Sequence, residues 1–321
     1  MPEETNAFKD GLFDDDDFVK QVALVHEDGR EMLDLAMRRF DTGDCTFMYL
    51  SDIDLQCHML WHHDDPKFPG SAPHPAFEPG PAAAHSRDIE GFYKGVDAVL
   101  GHVRETLPDD TLLLVMSDHG FQPYTRKFHL NAWLRDEGYL VLKDEARTGA
   151  IAMGQVDWSR TRAYGLGFNG LYLNRTGREG EGIVTPSDAG ALAAEIARKL
   201  EAITDPLNGK TVVLEAALAT DAYSGARVDE APDIIVGYAD HYGCSEQSTL
   251  GEVTELVFED NTGGDFTGNH LMAPEVVPGV LLVNRPLTID GSDLTDVTAT
   301  LLHYYGLPIP DDMVGRSFLE D

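Results

Sequence analysis

The chain has 321 residues, is 42% hydrophobic and carries a formal net charge of -32 at pH 7, from 56 acidic and 24 basic residues. A chain of this length and apolar content can bury a sizeable core as one large domain or two modest ones. Because its negative field repels nucleic acids and anionic membranes, we expect neither as the main partner.

Targeting signals and redox features point to a cytoplasmic protein. The three cysteines, Cys45, Cys57 and Cys244, form no CxxC pair. They therefore predict neither a disulfide framework nor a thiolate zinc site, and a reducing compartment is the default. The N-terminus has no basic and apolar signal regions, and no apolar run approaches the roughly 18 residues that span a bilayer.

The first part of the chain alternates helical and strand-like segments. Phe18–Phe40 has apolar residues at helical spacing and predicts an amphipathic helix. Residues 45–50 (CTFMYL) and Leu112–Met116 are short apolar runs and predict buried strands. Prolines and glycines between residues 62 and 85 indicate an irregular loop, and Ser86–Leu107 predicts another helix.

The alternation continues through the second part of the chain. Helices are predicted over Asn131–Glu137, Ser187–Ile203 and Leu294–Tyr305. Strands or hairpins are predicted over Tyr139–Leu142, Gly165–Asn174, Val212–Leu218, Asp233–Val236 and Val280–Val283. Residues 240–268 are polar and predict a loop or lid.

This alternation predicts an α/β protein with a largely parallel central sheet flanked by helices. We expect an α/β core over residues 1–150 and 262–321, with an inserted α+β subdomain and lid-like loop over residues 151–261. In parallel sheets, ligands bind outside the carboxyl ends of the strands. The sequences SDID, from Ser51, and SDHG, from Ser117, stand at two such ends.

Asp54 and His58 are four residues apart. If the segment after the strand is helical, both side chains share one face and can hold one ion. Carboxylate and imidazole ligands suit Zn, Mn or Fe. A surface ion pair is the competing interpretation of this spacing, and Asp52 is an alternative ligand at the same strand end.

Asp118, His119 and Gly120 give a more specific signal. A buried strand that delivers adjacent Asp and His side chains into a glycine turn is costly unless a ligand satisfies them. A helix-capping Asp beside a loop histidine is the alternative. His270 lies in the glycine-rich sequence TGGDFTGNH. It is a candidate ligand only in combination with the other two segments.

Other polar residues are candidates for contact with a ligand. Arg126 and Lys127 follow the SDHG sequence and are predicted to meet a substrate phosphate, with a solvated loop as the alternative. The histidines at positions 62, 63, 74 and 85 lie in or beside the proline-rich stretch, where exposed surface histidines are the expectation and a lid is the alternative.

In this order, Asp-x-x-x-His, SDHG and a glycine-flanked His resemble the alkaline-phosphatase superfamily. The resemblance is closest to its type I phosphodiesterase/nucleotide pyrophosphatase branch, within the predicted phosphohydrolase/phosphomutase group. It extends from about Phe18 to Leu319 and includes LNAWLRDEGYLVL, APDIIVGY, VPGVLLVN and the tail DVTATLLHYYGLPIPDDMVGRSF.

The resemblance implies two divalent metal ions, with Zn expected and Mn or Fe as alternatives. Asp54, His58 and His270 would hold one ion, and Asp118 and His119 the second. In the family the second ion also takes an Asp and a Ser or Thr nucleophile from an N-terminal segment. We find no counterpart ahead of Phe18, so the nucleophile is expected outside this chain and one ion is expected to remain.

The functional expectation is the catalytic-domain portion of a metal-dependent phosphoester hydrolase that acts on a small-molecule phosphoester. A complementing N-terminal polypeptide is the further partner expected if the chain is half of a two-polypeptide enzyme. The alternatives are a non-catalytic metal-binding remnant, half of a two-polypeptide enzyme, or a phosphomutase. Metal ligands alone do not separate a mutase from a hydrolase.

Overall fold

The computed structural model describes residues 3–41, 43–63, 72–143, 151–263, 266–288 and 291–320. In chain order the helices are α1 (Thr5–Lys9), α2 (Asp15–Arg39), α3 (Asp52–Leu60), α4 (Pro79–His85), α5 (Asp88–Thr106), α6 (Leu130–Asp136), α7 (Pro186–Glu201), α8 (Ala219–Ala222), α9 (Glu246–Thr249) and α10 (Leu294–Tyr304). The strands are β1 (Leu114–Met116), β2 (Gln122–Phe128), β3 (Ala163–Gly165), β4 (Gly170–Leu173), β5 (Val213–Leu218), β6 (Ile234–Tyr238), β7 (His241–Cys244), β8 (Phe258–Asp260), β9 (Gly268–Asn269) and β10 (Leu281–Val283).

Helix α2 begins where its sequence predicts a cap. Asp14 is the N-cap, and its Oδ1 accepts a 2.9 Å hydrogen bond from the backbone N–H of Asp17. Three further acidic residues occupy the first turn, where the helix dipole favours negative charge. The apolar face of α2 packs on α3 through a buried cluster of Phe18, Val22, Met59 and Leu60. This contact fixes the helix that carries Asp54 and His58.

The strands form three sheets. β3, β4, β6 and β5 pair in that order, all antiparallel, and the buried face of α7 belongs to the same core. β2 lies between β7 and β8 and also pairs with β9. β1 pairs with β10 alone, antiparallel.

The chain is a mixed α/β protein, but the expected largely parallel central sheet is not what the described strands form. Among them only β2 and β7 pair in parallel. Short connections explain much of why the sheets are antiparallel. A tight loop such as that between β3 and β4 can join only antiparallel neighbours.

The apolar core has two parts. The larger cluster draws on residues from Phe128 to Val253 and includes the buried face of α7. The smaller is the α2–α3 cluster. Trp133 and Tyr139 lie within residues 1–150, the first part of the predicted α/β core, and they pack in the larger cluster. The predicted division of the chain into an α/β core (residues 1–150 and 262–321) and an inserted subdomain (residues 151–261) stays a prediction.

Residues 45–50 do not form the predicted buried strand. The segment has no regular secondary structure, and Phe47 and Tyr49 are 78% and 66% exposed. A run of β-formers becomes a buried strand only when other strands pair with it. No described strand does so here.

Three other segments also differ from their predictions. Tyr139–Leu142 is not a strand, because the N–H groups of Tyr139 and Leu140 bond to Leu134 O at the end of α6. Residues 240–268, predicted as a loop or lid, contain β7, α9 and β8. Residues 62–85 include α4, whose first position is a proline that a helix start tolerates; positions 64–71 lie outside the described residues.

None of the helices in the described ranges combines the length and the apolar character that a bilayer crossing requires.

Candidate metal centre

Helix α3 carries Asp54 and His58 one turn apart. His58 Nε2 lies 4.0 Å from Asp54 Oδ2. The end of the helix is held by Thr267, whose backbone N–H bonds to His58 O at 2.7 Å. Next to it, Gly268 approaches so closely that a Cβ atom would lie 2.2 Å from Cys57 O. Only glycine allows this contact between α3 and β9.

The SDHG turn follows β1 and presents Asp118 and His119. An added Cβ atom at Gly120 would lie 2.7 Å from Pro278 O, so the turn requires glycine as the sequence predicted. His119 Nδ1 lies 3.1 Å from Gly120 O, which leaves Nε2 as the ligating nitrogen. The Asp118 side chain is 65% exposed at the rim.

His270 comes directly after β9. The pairing of β9 with β2 brings Asn269 opposite Gln122. Asn269 Oδ1 then accepts hydrogen bonds from the backbone N–H groups of His270 at 2.8 Å and Leu271 at 3.0 Å. These bonds fix the turn from which the His270 ring projects.

The three segments converge on Asp54. Its Oδ1 lies 3.9 Å from His119 Nε2 and 3.9 Å from His270 Nε2. One ligand atom from each of these three residues lies within 4.8 Å of the other two. All five predicted ligands are therefore neighbours: His58 adjoins Asp54, and Asp118 Oδ2 lies 3.5 Å from His119 Nε2.

The closest contacts do not divide these residues into the two predicted groups. The resemblance assigned Asp54 and His270 to one ion and His119 to the other. The tightest set in the structure joins all three, with the His119 and His270 rings stacked. Which ion each side chain holds stays a prediction.

Burial sets the protonation of the cluster. It raises the pKa of Asp54, and it lowers the pKa of both His58 and His270 to about 4. Both imidazoles are therefore neutral at pH 7. Since His58 Nδ1 lies 2.9 Å from Gly268 O and donates to it, the lone pair of His58 is on Nε2, which faces Asp54.

Phe121 is a neighbour of the site that the sequence reasoning did not single out. Its ring contacts three of the histidines, with centroid distances of 4.8 Å to His58, 5.7 Å to His119 and 5.2 Å to His270. Phe121 follows the SDHG turn directly, which is the one signal for it in the sequence. It supplies apolar packing around the imidazoles.

Asp52, the alternative ligand, is engaged elsewhere. It is 3% exposed, and its Oδ2 lies 2.5 Å from His26 Nδ1. The two serines beside the ligands also have partners. Ser51 Oγ donates to the Glu3 carboxylate, and Ser117 Oγ accepts from Val280 N–H at 2.9 Å.

Arg126 and Lys127 are not in a solvated loop and do not join the cluster. Both lie on β2. Arg126 donates to Asp205 at 2.8 Å and to Asp260 at 2.7 Å, and Lys127 donates to Glu246 at 3.1 Å. Their charges are balanced by these carboxylates, which argues against the predicted contact with a substrate phosphate.

The histidines of the proline-rich stretch are not exposed surface residues, contrary to expectation. His63 and His74 are 1% and 7% exposed, and the rings of His62 and His85 are partly buried. His74 bridges two backbone segments, with Nε2 2.7 Å from Tyr124 O and Nδ1 accepting from Ala76 N–H. A proline-rich sequence predicts irregular backbone, but it does not predict exposure.

Comparison with known proteins adds two similarities. The sequence profile of the family described as "Type I phosphodiesterase / nucleotide pyrophosphatase" matches residues 6–255. The chain is also 33% identical over 120 residues to a 2,3-bisphosphoglycerate-independent phosphoglycerate mutase of Rhodopirellula baltica. That alignment covers 35% of this chain and 20% of the mutase. His270 lies beyond the profile match, so its place in the site rests on geometry.

Proposed function

Since this chain belongs to the type I phosphodiesterase / nucleotide pyrophosphatase family of the alkaline-phosphatase superfamily, we propose that it forms the metal-binding portion of a metal-dependent phosphoester hydrolase. The observation that carries the proposal is the convergence of Asp54, His119 and His270 within 4.8 Å. Side chains from three distant segments meet there, with His58 and Asp118 at their edge.

The residues present fit a divalent cation. Asp54 supplies an anionic oxygen, and the neutral imidazoles supply nitrogen lone pairs, which together suit Zn²⁺ or Mn²⁺. Asp54 and Asp118 carry like charges, and a cation bound beside them offsets their repulsion. The same cation can accept the lone pairs of the stacked His119 and His270 rings. A cation held here supplies Lewis-acid polarisation of a phosphoryl oxygen. The exposed Asp118 places the open side of the site toward solvent.

The nucleophile is proposed to come from a complementing polypeptide. Ser51 and Ser117, the hydroxyl groups beside the ligands, already have hydrogen-bond partners. The neighbouring segment 45–50 has no regular secondary structure, is rich in β-formers and is exposed at Phe47 and Tyr49. Leu282 of the β1–β10 pair is 53% exposed as well. A strand added beside these residues would cover apolar surface and could bring a Ser or Thr to the metal.

Metal binding and orthophosphate binding test the proposal with the purified chain. Titration calorimetry with Zn²⁺ and then with phosphate is expected to show metal binding and metal-dependent phosphate binding. The Zn²⁺ binding of this centre and the metal-dependent phosphate binding should both be lost in Asp54→Ala and in His270→Ala. His102→Ala is the matched control, because His102 is half exposed and pairs with Asp34 on the surface. Equal Zn²⁺ affinity in all four proteins would overturn the proposal.

A phosphomutase is the second candidate function. The similarity to the R. baltica mutase favours it, although the aligned part is a fifth of that protein. The two functions differ in product. Incubation with 3-phosphoglycerate, Zn²⁺ or Mn²⁺ and a co-expressed complementing polypeptide gives free phosphate if the enzyme is a hydrolase and 2-phosphoglycerate if it is a mutase.

A further inference from the structure

A second group of imidazole and carboxylate side chains lies where the start of α2 meets the turn after α3. Asp15 is the first residue of α2, and His62 and His63 belong to a 3-10 turn over Trp61–His63. One ligand atom from each of Asp15, His62 and His63 lies within 4.8 Å of the other two. The group shares no residue with the candidate metal centre.

The environment of His63 is unusual for a purely structural histidine. The residue is 1% exposed, and neither ring nitrogen has a hydrogen-bond partner among the described residues. Nε2 lies 3.1 Å from Asp15 Oδ1, and this contact lowers the pKa of the Asp15 carboxyl, although its angle falls short of a well-formed hydrogen bond. A buried imidazole with one poorly aligned contact and no described partner at Nδ1 is costly. A cation between the ring and the carboxylate would remove that cost.

The hydrogen bonds of Thr267 set the orientation of the His62 lone pair. Thr267 Oγ1 donates its proton to the carbonyl oxygen of His58 or Met59, at 3.2 and 3.1 Å. The oxygen can then only accept from His62 Nδ1, which lies 3.2 Å away. The proton of the His62 ring is therefore on Nδ1, and the lone pair is on Nε2. This is the arrangement of a metal-ligating histidine whose second nitrogen is fixed by another group.

We infer that Asp15, His62 and His63 bind a divalent transition-metal ion, with Zn²⁺ as the fitting probe. Two imidazoles and one carboxylate are borderline ligands that suit Zn²⁺ and disfavour Ca²⁺ or Mg²⁺. The acidic residues at positions 14–17 give this end of α2 a negative charge that favours a cation. The ion would tie α2 to the end of α3, the helix that carries Asp54 and His58.

The test uses the whole chain in a background that lacks the first centre, Asp54→Ala with His270→Ala. This background protein is dialysed against Zn²⁺, and the bound metal is counted by mass spectrometry. Asp15→Asn or His62→Ala is then added. Asp16→Asn is the matched control, because Asp16 is the next carboxylate along the helix, is 69% exposed and faces His85 rather than His63.

The expected result is about one Zn²⁺ per chain in the background protein and in its Asp16→Asn form, and a loss of at least tenfold in affinity with Asp15→Asn or His62→Ala. Far-ultraviolet circular dichroism verifies that each variant is folded. No metal in the folded background protein, or equal metal in the Asp15→Asn and Asp16→Asn forms, overturns the inference. Because the first centre is absent throughout, the outcome is independent of the proposed hydrolase function.

Discussion

The imidazole rings of His119 and His270 stack face to face, with centroids 3.6 Å apart and an interplanar angle of 9°. Their Nε2 atoms both lie 3.9 Å from the same oxygen of Asp54. Both rings direct Nε2 at one carboxylate, and a cation between the two nitrogens and that oxygen would stabilise this arrangement. This relationship is the main reason to expect a metal ion at the site.

Two carboxylates on one turn of α3 should respond differently to mutation. Asp54→Ala is expected to lower the Zn²⁺ affinity of the Asp54/His119/His270 centre about 100-fold, because it removes the oxygen shared by both histidines. Asp52→Asn should retain Zn²⁺ affinity and lower the free energy of unfolding by about 2 kcal/mol, since it weakens the buried contact with His26. Calorimetry and urea unfolding measure the two effects, and equal loss of Zn²⁺ in both variants would contradict the assignment.

Acid should destabilise the metal-free protein well before most carboxylates are protonated. Burial lowers the pKa of His58, His62 and His270 to about 4 in the folded chain, against about 6.5 when unfolded. Between these values the unfolded state binds more protons, so stability is complete above pH 7 and falls as the pH drops toward 4. For His58, the most buried of the three, complete loss of this contribution corresponds to roughly 3 kcal/mol.

Urea unfolding between pH 7.5 and pH 4.5, in the presence of a chelator, measures this dependence. His270→Gln is expected to flatten the curve, whereas His102→Gln, at an exposed position, should leave it unchanged. A wild-type curve that rises on acidification would contradict the proposed protonation states.

Gly268 should tolerate no side chain. Gly268→Ala places a methyl group against Cys57 O and the Trp61 ring, so α3 and β9 must separate. We expect a loss of several kcal/mol in stability and weaker Zn²⁺ binding, because His58 loses its bond to Gly268 O. Gly190→Ala is the control. It lies in α7 with open space around it and should stabilise by about 0.5–1 kcal/mol. Thermal unfolding compares the two, and similar melting temperatures would contradict the prediction.

Arg126 should matter for stability and not for phosphate binding. Arg126→Ala leaves the buried carboxylate of Asp205 without its cationic partner, although Tyr242 and Leu207 still donate to it, and should cost about 3 kcal/mol. Arg87→Ala removes an exposed ion pair with Glu90 and should cost less than about 1 kcal/mol. Urea unfolding tests both values. A folded Arg126→Ala protein with weakened phosphate binding would restore the substrate role that the sequence suggested.

The helices and the site segments were predictable because their signals are local. The spacing in α2, α5, α7 and α10 gave helices within a few residues of those observed. Adjacent Asp and His residues before Gly120, and the glycines around His270, mark turns whose geometry needs glycine or a polar cap. The sequence thus located all five clustered side chains, although not which of them lie closest together.

Strand pairing was less predictable because it depends on distant partners. CTFMYL has the composition of a buried strand, yet burial of that segment needs neighbours on both edges that the described residues do not provide. The burial of His63 has the same origin. Its ring is enclosed where the start of α2 meets a distant turn, and no pattern around position 63 reveals that contact.

Cys45 begins the segment that carries Phe47 and Tyr49, and its thiol is exposed and outside any disulfide. Two copies that meet along this segment would bring their Cys45 sulfur atoms close together. Air oxidation would then turn a brief encounter into a covalent pair, since thiolate attack needs only access and an oxidant. A reducing agent in the storage buffer would prevent this covalent pairing.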